Sequence, residues 1–390
     1  MFDRHRLALG VAGSMGVLSI AATSGLALLA HRFVNQLSRP HALPDHNLFT
    51  WKLPHPEPEP PASQRRSLLF HTSDGKLLSG DFWAQPHPAP TIVLCHGYRV
   101  TRTYLRPVAA LEYKYGYNIL LFDFRGHGES ESVATSGGNA EVHDLEAALA
   151  VAGRQPETLP GKIVIHGFSM GASIALLTSP RPGVAAIVAD SPYARLDEIL
   201  RRFVRWQLAS VPSLRRLRST FPALSWATLA ASKVIFRLRF GHALIARPAA
   251  SFKRWQAQSK GATRQPYPSI LLIHGAQDRA IPISHARQIA AQAQLYTIPV
   301  ETYFVEEASH CGAYGHDPQE YIRVLQQFLA RHLGSDFPLV PSKGAGGRRL
   351  IRAQYCKRLE KLCKCMHNCR RESLLSELQQ LHNRRLMLLP

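Results

Sequence analysis

The sequence is poor in acidic residues and in cysteine. Its 390 residues include 27 Asp and Glu against 47 Lys and Arg, which gives a formal net charge of +20. Such a cationic excess predicts an anionic partner, for example an acidic membrane surface, nucleic acid or an acidic substrate. The six cysteines do not follow the pattern of a small, disulfide-rich secreted protein, because four of them lie together after residue 355.

Motifs for metal and nucleic-acid binding are also lacking. Cys363, Cys365, His367 and Cys369 follow the spacing C-x-C-x-H-x-C, which lacks the C-x2-C pair of structural zinc sites. One helix could not wrap four such ligands around a metal ion. The sequence contains no base-reading motif and no platform of aromatic and basic residues. We therefore predict neither a metal site nor a nucleic-acid partner.

An uncharged, moderately apolar run extends from Leu7 to Ala30. As a helix it would span about 36 Å, enough for the hydrocarbon core of a bilayer. It predicts an N-terminal anchor over residues 1–31 and a single-pass membrane location. The alternative is a signal peptide that is cleaved near Ala22-Thr23-Ser24, followed by export. Arginines on both sides of the run leave its orientation open.

The rest of the chain divides by composition. Residues 32–64 are rich in proline and predict an extended linker. Residues 65–194 and 266–335 alternate short apolar runs with helical patterns, which is typical of a doubly wound, mostly parallel α/β sheet. Between these two parts, residues 195–265 form a strongly basic helical insertion. Residues 336–390 form a basic tail that contains most of the cysteines.

Eight strands are predicted in the two α/β parts. The six predicted parallel strands are Thr91–Cys95, Asn118–Phe122, Lys162–Ile165, Val184–Ala189, Ser269–Ile273 and Val300–Val305. Two earlier runs, Ser67–His71 and Ser79–Trp83, are joined through Asp74-Gly75. This pattern predicts an antiparallel hairpin at the edge of the sheet.

A nucleophile motif follows the third predicted parallel strand. Gly167-Phe168-Ser169-Met170-Gly171 matches G-x-S-x-G and is followed at once by a helical run. A strand, a tight turn and a helix are the setting that a nucleophile elbow requires, and the flanking glycines leave room for the turn. Ser169 is therefore the predicted nucleophile.

A serine hydroxyl needs a base to take its proton and an acid to orient that base. In this order along the chain, Asp278 and His310 each lie in a loop directly after a predicted strand. The carboxyl ends of the strands are where an open α/β sheet places its ligands. Asp278 is the predicted acid and His310 the predicted base. Asp190, which follows another strand, is the alternative acid, and His316 is the weaker rival for the base.

The oxyanion that forms during acyl transfer needs two preorganised N–H donors. The backbone of Met170, directly after the nucleophile, is one predicted donor. The loop after the strand Thr91–Cys95 reads His96-Gly97-Tyr98, and we assign the second donor to Tyr98.

Five segments together resemble the α/β-hydrolase superfamily. They are His96-Gly97-Tyr98, Asp123-Phe124-Arg125-Gly126-His127-Gly128-Glu129-Ser130, Gly167-Phe168-Ser169-Met170-Gly171, His274-Gly275-Ala276-Gln277-Asp278 and Ser309-His310-Cys311-Gly312. Within the superfamily the chain is most similar to membrane-anchored abhydrolase-domain proteins and to the serine-aminopeptidase-like group. The resemblance covers residues 65–335. It implies an α/β-hydrolase fold in which the insertion 195–265 is a lid over the nucleophile.

The insertion and the tail predict partners. Residues 195–264 hold fifteen Lys or Arg against Asp197 and Glu198, together with Trp206, Trp226 and Trp255. An amphipathic basic helix with tryptophans suits an anionic membrane surface, and a solvated cationic face over ordinary core packing is the alternative. In the tail, apolar residues recur at three- and four-residue steps and predict amphipathic helices that bind a partner helix.

Together these features predict a serine hydrolase that needs no cofactor. The expected reaction is cleavage of a carboxylic ester or thioester (EC 3.1) through an acyl-enzyme on Ser169, with a small apolar or lipid-like acyl compound as substrate. An acyltransferase or a peptidase with the same triad remains an alternative, because this fold hosts many reactions. The non-enzymatic alternative is a membrane-bound adaptor built on the same fold.

Overall fold

The computed structural model describes residues 23–40, 57–178, 180–241, 243–259 and 267–334. Most of the predicted anchor, part of the linker and the whole tail 336–390 lie outside these residues. One mixed sheet of eight strands organises the described chain. Its strands are β1 Arg65–His71, β2 Leu77–Trp83, β3 Ala89–Cys95, β4 Asn118–Phe122, β5 Thr158–Phe168, β6 Val184–Asp190, β7 Ser269–Gly275 and β8 Val300–Val305.

The strand order is β1-β2-β4-β3-β5-β6-β7-β8. The first two strands form the predicted antiparallel edge hairpin, and β2 is also antiparallel to β4. Every further pairing is parallel. Strands β3 and β4 are buried along their whole length, as expected for continuous apolar runs covered on both faces. The predicted α/β-hydrolase fold class is confirmed.

Helices cover both faces of the sheet. The helices are α1 (residues 23–38), α2 Arg106–Lys114, α3 Glu141–Arg154, α4 Met170–Leu177, α5 Leu196–Ser210, α6 Phe221–Phe240, α7 Pro248–Ser259, α8 Ser284–Leu295, α9 Ala313–His316 and α10 Pro318–Leu333. One apolar cluster joins the sheet to α3, α4, α7 and α8. A second joins the opposite face to α2 and α10.

The insertion divides into two parts. Helix α5, the 3-10 helix Pro212–Thr220 and helix α6 pack on one another and form a cap. Helix α7 instead packs in the hydrolase core, since Phe252 and Trp255 are buried in the same cluster as α4 and α8. The sequence assigned residues 195–265 as a whole to the lid, because the basic composition of α7 masks its two buried aromatic side chains.

Helix α1 lies against the cap. Phe33, Val34 and Leu37 are buried in one apolar cluster with side chains of α5 and α6. The sequence predicted an extended linker from residue 32, whereas residues 32–38 are part of helix α1. The helix forms here because its apolar stripe is buried against the cap. Within the described residues, none of the helices is both long and apolar enough to cross a bilayer.

A buried arginine ties the edge hairpin to the sheet and to α3. Arg125 follows β4, and its guanidinium donates to both carboxylate oxygens of Asp74, at 2.6 and 2.8 Å. Its Nε donates to Asp144 on α3 at 2.8 Å. The side chain of Asp144 is fully buried, and burial raises the pKa of this carboxyl to about 6 despite the adjacent arginine. Arg125 thus stabilises the ionised form of Asp144, which burial disfavours.

We expect Arg125→Met to lower the free energy of unfolding by about 3–5 kcal/mol, because it leaves Asp144 buried without its cation. Chemical denaturation at neutral pH measures the change. Arg66→Met is the matched control, since Arg66 pairs with Glu157 at the surface, where such pairs contribute about 0–1 kcal/mol. Equal effects of the two substitutions would contradict a structural role for the buried network.

Candidate active site

The predicted site residues lie at one edge of the sheet. Ser169 directly follows β5, Asp190 ends β6, Asp278 follows β7 by three residues and His310 follows β8 by five. These strands are parallel, so their carboxyl ends meet at the same edge. Side chains that are up to 141 positions apart in the sequence are therefore brought together.

Ser169 occupies a strained turn between β5 and α4. Its backbone has a φ of +53°, which is uncommon for a residue other than glycine. The turn is held because the N–H of Ser169 donates to the carbonyl of Asp190 at 2.8 Å. Gly171 must be glycine here, since a Cβ would lie 2.7 Å from the carbonyl oxygen of His96. This geometry is that of a nucleophile elbow.

The three predicted catalytic side chains form one chain of hydrogen bonds. The Oγ of Ser169 lies 3.0 Å from Nε2 of His310. The Nδ1 of His310 lies 2.7 Å from Oδ2 of Asp278. Because a carboxylate only accepts, Nδ1 carries the proton and Nε2 is left to accept from the serine. The arrangement provides a serine with a base in the required tautomer.

The environment of Asp278 keeps it ionised. Burial opposes the charge, but hydrogen bonds from His274 and His310 lower the pKa of Asp278 to about 2. Its second oxygen accepts the backbone N–H groups of Ala280 and Ile281, at 2.9 and 2.8 Å. The carboxylate is therefore fixed in position as well as in charge.

Asp190, the alternative acid, has different partners. Its buried carboxylate accepts from the hydroxyl of Ser191 at 2.8 Å and from that of Tyr321 at 3.4 Å. Burial raises its pKa. Ser191 Oγ in turn accepts the N–H of Cys311, the residue after His310, at 3.0 Å. Asp190 thus belongs to a network that holds the histidine loop, while Asp278 pairs with the imidazole.

Sequence reasoning did not identify the residues of this supporting network. Ser191 and Tyr321 lie outside the recognised motifs, and His274 lies within one without a predicted role. Ser191 is 120 positions from Cys311, and no short-range spacing could signal that hydrogen bond. The one local signal, a positive φ at Ser191, is a property of the folded backbone.

The two predicted oxyanion residues follow adjacent strands. Met170 begins α4, and Tyr98 lies in the loop after β3, the strand next to β5. The loop is fixed by His96, whose Nε2 accepts the N–H of Phe124 at 2.9 Å. Burial lowers the pKa of His96 well below its usual value, so the ring is neutral and able to accept. The phenol of Tyr98 donates to the carbonyl of Leu37 at 2.9 Å and so joins this loop to α1.

Comparison with known proteins agrees with this fold. The model of the alpha/beta hydrolase family matches residues 92–324, and the chain belongs to that family. The uncharacterised protein YqkD of Bacillus subtilis is 30% identical over 275 residues, covering 68% of this chain and 79% of YqkD. The polyketide transferase ATR5 of Stachybotrys chlorohalonatus is 29% identical over 163 residues, covering 40% of this chain and 55% of ATR5.

A solved structure shares the fold. The esterase Pf2001 of Pyrococcus furiosus superposes with a TM-score of 0.55 at 24% identity, covering 77% of this chain and 99% of the esterase. The family and the fold establish this protein as a hydrolase of the α/β-hydrolase superfamily.

Proposed function

We propose that this hydrolase cleaves carboxylic ester or thioester bonds through an acyl-enzyme on Ser169. The observation that carries the proposal is the continuous hydrogen-bonded chain from Ser169 through His310 to Asp278. A serine at an elbow, a base within 3.0 Å and a fixed carboxylate behind the base are the parts that acyl transfer requires.

The proposed reaction proceeds in two halves. His310 takes the proton from the Oγ of Ser169 while that oxygen attacks the carbonyl carbon of the substrate. The backbone N–H groups of Met170 and Tyr98 stabilise the oxyanion. The tetrahedral intermediate then expels the alcohol or thiol, which receives the proton from His310. Water repeats the sequence on the acyl-enzyme and releases the acid.

The surroundings of Tyr98 support an apolar acyl group. Tyr98 packs against the apolar cluster of the cap, which includes Leu196, Leu200 and Phe236. A carbonyl carbon held between Ser169 and the loop of Tyr98 would therefore lie near aliphatic and aromatic side chains. Small apolar or lipid-like esters are the proposed substrates.

Acyl transfer to an acceptor other than water is the second candidate. It is favoured by the relative ATR5, which is a polyketide transferase. The same acyl-enzyme would then react with an alcohol or an amine. A peptidase would use the same residues, and an adaptor would leave Ser169 unreactive.

A fluorophosphonate probe tests the proposal, because it labels only serines that are activated by a base. We expect the full-length protein to be labelled at Ser169 and the Ser169→Ala variant to remain unlabelled. Ser73→Ala is the matched control and should keep full labelling. Ser73 also contacts a histidine ring, His143 at 3.1 Å, but lies at the surface away from the elbow.

Two outcomes would redirect the proposal. If the folded wild-type protein is not labelled, the adaptor is favoured over an enzyme. If it is labelled and cleaves ester substrates, product analysis with added alcohols or amines decides between hydrolysis and transfer. Predominant acyl transfer at low acceptor concentration would contradict a hydrolase.

A further inference from the structure

Exposed apolar side chains are concentrated on α1 and the cap. In the described part of the chain, Trp206 on α5 is 66% exposed, and Trp226 and Leu238 on α6 are 64% and 82% exposed. Leu28 on α1 and Val234 on α6 are also more than half exposed. Large side chains of this kind seldom gather on a free surface without a partner. We call these five residues, together with the cations described next, the docking face.

Several cations of the same helices form no close ion pair. Arg201, Arg202 and Arg205 on α5, and Lys233 and Arg237 on α6, have no carboxylate within 4.0 Å among the described residues. Some surface arginines of the hydrolase core, such as Arg65, pair with glutamates instead. Cations four positions apart on one helix repel each other. The cap therefore accumulates charge that an external anion would neutralise.

The apolar and cationic side chains share one side of α6. Trp226, Lys233 and Arg237 follow one another at seven and four positions, so they line up along the helix. Val234 and Leu238 lie on the adjoining stripe. The opposite side of the helix, which includes Phe221 and Phe236, is buried in the cap. A helix with this pattern suits the interface of a membrane, where the apolar groups enter the acyl region and the cations meet phosphates.

A groove lies between these helices. It has a volume of about 440 Å³ and is lined by Arg201, Arg202, Arg205 and Trp226, with His285 of α8 at its floor. Glu198 is its one acidic lining residue, and that carboxylate also pairs with Arg195. The groove is therefore net cationic and open to solvent. Its size and charge suit the phosphate of a lipid headgroup.

We propose that the docking face binds a bilayer that contains anionic lipid, with a headgroup phosphate in the arginine groove. The proposal is independent of catalysis at Ser169. It has a geometric consequence, because α1 contacts α6 through Ser232 and the carbonyl of Ala30, and contacts the loop of Tyr98 through Leu37. Helix α1 would therefore connect a docked cap to the loop that follows β3.

Tryptophan quenching tests the proposal. The full-length protein is mixed with vesicles whose acyl chains carry bromine, a contact quencher, made either from phosphatidylcholine alone or with phosphatidylglycerol added. We expect quenching with the anionic vesicles, weak quenching with the neutral ones, and reversal by salt. Quenching is preferred to vesicle pelleting, because the apolar run Leu7–Ala30, which ends within α1, could hold the chain on any bilayer.

Two double variants identify the surface. Trp51 lies outside the described residues, so every protein in this test carries Trp51→Phe. In that background Trp206→Phe/Trp226→Phe should lose most of the quenching, because Trp83 and Trp255 are buried. Arg201→Gln/Arg205→Gln should shift the equilibrium between docked and undocked cap by about 30-fold, from the contribution of two cations near an anionic surface. Arg154→Gln/Arg287→Gln removes two exposed arginines of the core and should leave quenching unchanged. Thermal unfolding verifies that each variant is folded.

Other outcomes overturn the proposal. Equal quenching by neutral and anionic vesicles, or equal loss in the cap and core arginine variants, would exclude a specific anionic docking face. Ser169→Ala is expected to dock like the wild type. Failure of docking and failure of catalysis are thus separate results.

Discussion

Ser169→Ala and His310→Ala are each expected to lower kcat for ester hydrolysis by about 10⁶-fold. The reason is that the hydroxyl of Ser169 and Nε2 of His310, 3.0 Å apart, act as one unit in the transfer of a proton and the attack on carbon. Initial rates with a neutral short-chain ester, from wild-type and variant proteins with equal thermal stability, measure the effect. The KM should change little where both variants still bind substrate.

The double variant provides the sharper control. If the two residues act together, Ser169→Ala/His310→Ala should be no slower than either single variant, because the second substitution removes a group that is already idle. Additive losses, or a His310→Ala variant that retains most of its activity, would contradict the proposed role of His310 as the base for Ser169.

Asp278→Asn is expected to lower kcat by about 10⁴-fold, whereas Asp190→Asn should lower it by about tenfold or less. An amide at 278 would donate to Nδ1 of His310 and favour the tautomer that cannot accept the proton of Ser169. An amide at 190 would disturb only the contacts with Ser191 and Tyr321 behind the histidine loop. Kinetics of the two variants side by side measure the difference.

The low pKa of Asp278 has a consequence for the pH dependence of the reaction. Since hydrogen bonds from His274 and His310 lower it to about 2 against the effect of burial, the carboxylate stays ionised at any pH at which an ester assay is run. Titration of Asp278 should therefore contribute nothing to the pH profile of the wild-type protein across the neutral range. A larger loss in Asp190→Asn than in Asp278→Asn would reverse the assignment of the orienting acid.

Most strand positions were predictable because buried parallel strands consist of continuous apolar runs. Asn118–Phe122 is buried along its whole length and has the predicted bounds. Val300–Val305 also has the predicted bounds, although it is more polar and mostly half-buried. The first hairpin strand, Arg65–His71, begins two residues earlier than predicted. The elbow was predictable for a related reason, since a tight strand-to-helix turn requires small residues at fixed positions around Ser169. In both cases the determining interactions are local.

The helices at the margins were less predictable. Helix α7 has the basic composition of the cap, yet Phe252 and Trp255 place it in the core beside α4 and α8. Residues 32–38 belong to α1 because Phe33, Val34 and Leu37 find an apolar partner surface on the cap. The composition of a helix includes its exposed and its buried side chains alike. Only the contacts in the folded structure show which of its residues are buried.

The sequence by itself determined the fold class, the hydrolase family and the short list of catalytic candidates, because strand periodicity and the glycine-flanked serine are local features. Only the tertiary structure distinguished the partners of the two candidate acids. Asp190 and Asp278 both follow strands, and the difference is that the loop after β7 brings Asp278 to 2.7 Å from Nδ1 of His310. The structure alone also showed that Ser191 and Tyr321 contact Asp190, and that the cations of α5 and α6 lie on helices that pack on each other. Such juxtapositions arise from strand order and helix packing, which no short stretch of sequence encodes.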